Sequence, residues 1–308
     1  MTTHLYTHDI FAEHLTPAGH PERPDRIRVV SDILSKPDFD GLVRFETQMA
    51  DESSFLLAHT ESHIQKMRDS VPEEGIFRVD PDTAMSPKSW DCVKHAVGGG
   101  LAGIDHVFSG KADNAFLAAR PPGHHAEKVT AMGFCFINTA AVMARHAQKK
   151  HGAERVAIVD FDVHHGNGTQ DIFFDDASVL YCSTHQMPLY PGTGAKEETG
   201  AGNICNAPLS PGMDGDGFRQ AFKSRILPAI DAHVPDLIII SAGFDAHHRD
   251  PLANINLVED DFDWATGKLM DMADKHCDGR LASLLEGGYD LQGLAQSCRT
   301  HVKRLMNG

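Results

Sequence analysis

Asp160, Asp162 and His164 stand at alternate positions where an apolar run, Val156-Ala-Ile-Val159, gives way to Gly166 and Gly168. The run is short, rich in Val and Ile and closed by glycines, so it reads as a buried parallel strand over residues 156–162. Side chains alternate faces along a strand, which predicts that the three polar groups point the same way at its carboxyl end. Two carboxylates and an imidazole at one edge repel and desolvate each other unless a positive charge sits between them. A metal ion is the simplest such charge. A hydrogen-bonded polar strand end is the plainer alternative.

Three more apolar runs end in reactive groups flanked by Gly or Pro. They lead into Arg120-Pro-Pro-Gly-His-His125, Ala242-Gly-Phe-Asp245 and Glu286-Gly-Gly-Tyr289. Asp162, His164 and Asp245 are the candidate metal ligands. Three protein ligands leave a tetrahedral position open, as catalytic zinc requires. Two carboxylates cancel a divalent charge, and a neutral centre acidifies its water less than a cationic one. The chemistry then needs a general base and a second electrophile. His124 and His125 follow a Pro-Pro-Gly turn; one ring can move a proton while the other stays charged, with Asp160 orienting one of them. Tyr289 can donate to a developing oxyanion. His247-His248 reads as a solvated loop.

These groups need a scaffold. Strands are expected at residues 115–119, 156–162, 179–183, 237–241 and 281–285, and helices at 138–150, 218–232 and 262–275, with Asn138 capping the first. All-apolar strands alternating with helices predict an α/β fold with a parallel sheet covered on both faces. Such sheets place ligands at the carboxyl ends of their strands. No repeat or linker divides the 308 residues, so one domain, 1–308, is expected.

The formal charge is -15, from 43 acidic and 28 basic residues, which argues against direct nucleic-acid binding and suits a cationic partner such as a lysine-rich peptide or a polyamine. The six cysteines form no C-x-x-C pair. With no signal-like N-terminus or membrane-length apolar stretch, a cytoplasmic protein without membrane contact is expected. Oligomeric state leaves no trace in the chain.

The motifs R-P-P-G-H-H (120–125), G-F-C-F-I-N (133–138), D-x-D-V-H-H-G-N-G-T-Q (160–170), Y-P-G-T-G (190–194), S-A-G-F-D-A (241–246) and L-E-G-G-Y (285–289), with H-P-E-R-P-D-R at 20–26, resemble those of the zinc-dependent histone deacetylases, class II. The resemblance implies the arginase/deacetylase fold: one three-layer domain with an eight-stranded parallel sheet between helices and an acyl-lysine tunnel at its carboxyl edge. It implies one zinc at Asp162, His164 and Asp245, with His125 as general base, His124 as its charge-stabilising partner and Tyr289 polarising the carbonyl. Gly133, Phe134, Tyr190 and Leu252 would line the tunnel. A structural potassium is implied at Asp160, Asp162, His164, Ser183 and Thr184, and a second, outer one around Phe173, Asp176 and Val179.

Two positions depart from relatives. Asn167 stands where class I members carry an Asp beside the second histidine, so His125 should be less basic. Leu252 stands where a polyamine-selective relative has an acid, which favours acyl-lysine over acetylpolyamine. The resemblance implies a minimal, bacterial-type amidohydrolase acting on acylated lysine of peptides or proteins, or on another acetylated amine. Acetylpolyamine hydrolysis and removal of longer acyl chains are the nearest alternatives. An arginase-like dinuclear hydrolase would need more carboxylate ligands after residue 241, and a non-catalytic acyl-amine binder would have lost one of these site residues.

Overall fold

The structure, a computed structural model, describes residues 1–308. In chain order its elements are β1 (Thr3–Thr7), α1 (Asp25–Leu34), β2 (Val43–Glu46), α2 (Glu61–Asp69), β3 (Phe77–Arg78), β4 (Ala84–Met85), α3 (Ser89–Phe108), β5 (Asn114–Leu117), α4 (Thr139–His151) and β6 (Val156–Asp160). The second half adds α5 (Asn167–Phe173), β7 (Val179–Gln186), β8 (Ile204–Leu209), α6 (Gly215–Ala221), α7 (Leu227–His233), β9 (Leu237–Ala242), α8 (Glu259–His276), β10 (Leu281–Leu285) and α9 (Leu291–Asn307). A π-helical turn, Phe222–Ile226, joins α6 to α7, so the stretch expected as one helix is continuous but locally underwound.

Eight strands form one parallel sheet in the order β2-β1-β5-β10-β9-β6-β7-β8. Helices α3 and α4 cover one face, and α1, α8 and α9 the other. Both faces are therefore dry, and β5, β6, β7, β9 and β10 are buried along their whole length. The core is a single connected cluster of 77 buried apolar residues. No helix is long and apolar enough to cross a membrane.

Local chemistry sets the ends of the elements that aim the site. Asn138 caps α4, its side chain accepting from the Ala141 amide at 2.9 Å, and Gly152 closes that helix in the left-handed region. Asp290 caps α9 directly after the Gly287-Gly288-Tyr289 turn. In register, Asp160 of β6 lies between Ser183 of β7 and Ser241 of β9. The five adjacent central strands thus deliver their carboxyl ends, and the loops that follow, to one edge.

Candidate active site

The strand expected over residues 156–162 ends at Asp160. Asp162 and His164 are therefore not gathered by strand alternation. They lie on a turn wound by its own side chains: the Asp162 amide donates to Asp160 Oδ1 at 3.1 Å, and the His164 amide to Asp162 Oδ1 at 2.9 Å. Convergence holds for a different reason than the periodicity predicted. Asp245, beyond β9, accepts from the Val163 amide at 2.8 Å through Oδ1 and faces His164 Nδ1 with Oδ2 at 3.0 Å. Asp162 Oδ1 lies 3.2 Å from the same nitrogen. One ligand atom from each of Asp162, His164 and Asp245 lies within 4.8 Å of the others, and all three residues are buried.

This donor set fits a divalent cation. Burial opposes charge on His164, yet hydrogen bonds to Asp162 and Asp245 raise its pKa to about 10. Burial, then the Asp162 charge, pushes Asp245 up to about 7. The cluster is stable only with a positive charge between the carboxylates, whether a proton on the ring or an ion in its place. Gly287 lets the backbone close over the cluster: its amide donates to Asp162 Oδ2 at 2.8 Å, and a Cβ there would collide with both Asp162 and Asp245.

His124 and His125 stand side by side, ring centroids 4.0 Å apart. His124 Nδ1 meets Asp160 Oδ2 at 3.0 Å, and His125 Nδ1 meets Asn167 Oδ1 at 2.8 Å. Both expected partners are in place. The two rings are driven apart in basicity. Burial opposes a charge on His124, but Asp162 and Asp160 outweigh it and raise its pKa well above the usual range. Burial, and then the charges on His124 and His164, hold His125 well below it. Since the amide oxygen of Asn167 only accepts, His125 carries its hydrogen on Nδ1 and presents Nε2 as a free base.

A cavity of about 250 Å³ opens over these groups. Gly133, Phe134, Tyr190, Leu252 and Tyr289 line it, with His125 and His164 at its base, so the expected tunnel residues come together. Leu189, at the end of the 185–189 loop expected to select among acyl groups, also lines it, as does Asp82, which had no signal of its own in the chain. Phe134 takes φ 69°, an uncommon conformation for a non-glycine, which turns its ring toward Tyr289, centroids 5.8 Å apart. Tyr190 is set edge-on to His125, centroids 5.2 Å apart. Burial raises the Tyr289 phenol well above its usual pKa, so it stays a proton donor.

Several supporting residues appeared in the chain only as motif letters. Glu286 Oε2 accepts from the Gly123 and His124 amides at 2.7 and 3.2 Å. Arg26, fully buried, donates to the Gly288 and Glu286 carbonyls at 2.6 and 2.5 Å and lies 4.8 Å from the Tyr289 ring centre. Arg120 pairs with Glu22, which also binds Arg26. Asp250 Oδ2 accepts from the Tyr289 and Asp290 amides at 2.7 and 3.2 Å while Oδ1 accepts from Leu252 at 3.0 Å. A carboxylate inside the polar stretch 247–250 was the only available hint.

Two expectations are corrected. His247 is not solvated: it is 2 % exposed, and its Nδ1 accepts from the Arg249 amide. Only His248 faces solvent. At the outer potassium position the carbonyls of Phe173, Asp176 and Val179 do converge, but on Asn203 Nδ2, at 2.8, 3.0 and 2.8 Å. A side-chain amide takes the place expected for an ion. At the inner position Asp160 and Ser183 are strand partners, while Ser183 Oγ is engaged by His185 Nδ1 at 2.8 Å and the Thr184 hydroxyl is buried without a partner.

A parallel sheet carrying buried acid and imidazole groups on its carboxyl edge is the layout of the arginase/deacetylase fold. The solved HD domain of HDA15 superposes with a TM-score of 0.94 at 35% identity, covering 99% of this chain and 88% of that one. Residues 20–305 match the histone deacetylase domain model, and the chain belongs to that family. Similar relatives include a protein described as a probable deacetylase from Archaeoglobus fulgidus, 38% identical over 95% of this chain and 83% of its own length. A histone deacetylase-like amidohydrolase from Pseudomonas aeruginosa is 38% identical over 88% and 73%. An uncharacterized protein of Synechocystis is 40% identical over 96% and 97%.

Proposed function

We propose that this protein is a zinc-dependent amidohydrolase that removes acetyl or other short acyl groups from lysine side chains of peptides or proteins. The observation that carries the reading is the buried Asp162–His164–Asp245 cluster at the base of an apolar cavity, beside two histidines of opposed basicity and a protonated phenol. Zinc held by these three residues would polarise the acyl carbonyl and acidify water.

The chain's own residues do the rest. Phe134, Tyr190 and Leu252 enclose the substrate methylenes and exclude water. His125 Nε2 takes a proton from the attacking water while Asn167 holds Nδ1, and returns it to the departing amine. His124, paired with Asp160, stays charged and stabilises negative charge gathering above it. Tyr289 donates its hydroxyl hydrogen to the carbonyl oxygen as that oxygen becomes anionic. Asp160, Asp162, His164, Ser183 and Thr184 would hold an inner potassium under the site. With Asn203 in place, the outer ion has no role in the proposal. The six free thiols accord with the reducing cytoplasm proposed as its location.

Acetylpolyamine is the second reading, and one observation favours it. Asp82 lines the cavity wall, and burial followed by the neighbouring Asp80 raises its pKa, so a cationic amine would relieve it. The deciding experiment is a side-by-side assay of acetyl-lysine peptides, longer acyl-lysines and acetylpolyamines on the pure enzyme, with a chelator-treated control. Turnover of the peptide that is lost on chelation and restored by zinc is the expected result. Activity indifferent to the chelator would overturn the reading, and preference for the acetylpolyamine would move it to the second substrate class.

A further inference from the structure

One other cluster, on the face of the sheet covered by α3 and α4, gathers metal-ligating atoms. Asp105 sits in the last turn of α3, and His146 and His151 in the final turns of α4. Both imidazole Nε2 atoms close on the same oxygen, Asp105 Oδ1, at 2.9 and 2.7 Å. The three ligand atoms lie within 4.8 Å of one another. The side chains are partly shielded, 15% exposed for His146, 19% for His151 and 31% for Asp105. His151 is held in this direction by Phe108, whose ring stacks on it at 4.7 Å and 11°. We propose that Asp105, His146 and His151 form a second transition-metal site, separate from the catalytic cleft, that ties α3 to the end of α4.

The donor set selects the ion. Two imidazoles and one carboxylate suit Zn²⁺, Co²⁺, Ni²⁺ or Cu²⁺, whereas Ca²⁺ and Mg²⁺ want oxygen ligands throughout. Without metal, each ring must carry its hydrogen on Nε2 and give it to one shared oxygen. An ion replaces both hydrogens. A tetrahedral ion at ordinary bond lengths spaces its ligands by roughly 3.3 Å, so the nitrogens retreat by only a few tenths of an ångström. Water completes the coordination from the open side.

Lys150 works against the ion. Its Nζ is 2.7 Å from Asp105 Oδ2. It holds the other carboxylate oxygen, so coordination at Oδ1 leaves that pair intact, but two positive charges then share one carboxylate. The site is accordingly weaker than the cleft, which has two carboxylates and no lysine. A count of two ions per chain would therefore not indicate a dinuclear catalytic centre.

The test is metal per chain at equilibrium dialysis, using the full chain stripped by chelator and titrated with Zn²⁺ and, for its visible absorption, Co²⁺. The wild type should take up two equivalents of unequal affinity. His146→Ala/His151→Ala should keep the tight one, lose the weaker by roughly a hundredfold or more, and hydrolyse substrate as before. Asp245→Ala should do the reverse, which separates failure of this site from failure of the catalytic reading. Lys150→Ala, a change at an exposed side chain that leaves all ligands intact, should tighten the weaker site roughly three- to tenfold. A single equivalent in the wild type, a weaker equivalent unchanged by the histidine substitutions, or no tightening in Lys150→Ala would each overturn the proposal.

Discussion

Tyr289 and Asp250 show how differently two buried polar residues serve one site. The phenol offers a hydrogen to the cavity, and the carboxylate holds the backbone that carries the phenol. Replacing Tyr289 by Phe removes one oxyanion donor and leaves packing nearly intact, so kcat should fall roughly 10²–10³-fold with little change in KM. Steady-state kinetics on an acetyl-lysine peptide checks this, and unchanged turnover would remove the phenol from the chemistry. Asp250→Ala strips the acceptor from three amides, those of Leu252, Tyr289 and Asp290. It should cost about 1–3 kcal/mol in chemical denaturation and lower kcat more than it raises KM. The ligand triad, the histidine pair with its Asp160 and Asn167 partners, and Tyr289 were legible because each sits in a short run of fixed residue types. Asp250 was not, because its role depends on which backbone folds over it, and no spacing encodes that.

Elements were legible where a single period dominated. The four strands leading into the site, and α4 and α8, appear in the chain as apolar runs or capped amphipathic stretches. Helix α3 did not, because Gly98-Gly99-Gly100 lies in its middle and reads as a break. It nevertheless runs 20 residues. Its glycines are there for close approach: a Cβ on Gly98 would strike the backbone at Gln48, and one on Gly100 the side chain of Met143 in α4. Strands β1, β2 and β8 were also missed, being short or polar in part. Just before β8, Asn203 gathers three carbonyls, from the end of α5, the turn after it and the start of β7. Asn203→Ala removes this shared donor, while the Asp176 and Val179 amides still reach the Phe173 and Asp176 carbonyls, and should cost about 1 kcal/mol. A denaturant midpoint equal to wild type would show that water or an ion replaces the amide without loss.

For the whole molecule, pH acts through buried neutral histidines. His59, bonded to the Glu127 carbonyl and the Asn138 amide, is pushed down to about 3 by burial and then by the stacked His63. His301, held between Thr266 and Ser283, is pushed down to about 3 by burial alone. A base whose folded pKa lies below its unfolded value binds more protons when unfolded. Stability is then complete above the unfolded value of about 6.5 and is lost as pH falls toward 3. Each ring contributes about 1.4 kcal/mol per pH unit across that window. Denaturant unfolding at a series of pH values should show the decline beginning between about 7 and 6 and becoming shallower in His301→Gln. An unchanged slope in that variant would dissociate His301 from the effect.

The chain alone determined the parallel α/β architecture and the membership of its reactive groups. Short continuous apolar runs, Gly-bounded turns and clustered Asp, His and Tyr are local properties that survive without any fold. Tertiary structure alone decided how the groups work together. The turn after β6 folds its carboxylates back on itself where straight alternation was expected. Asp160 and the buried surroundings set His124 and His125 at opposite basicities, Asn203 fills the place expected for an outer ion, and α3 meets α4 through Asp105, His146 and His151. All of these depend on distances between residues far apart in the chain and on the loss of water around them, and neither is written in the order of the residues.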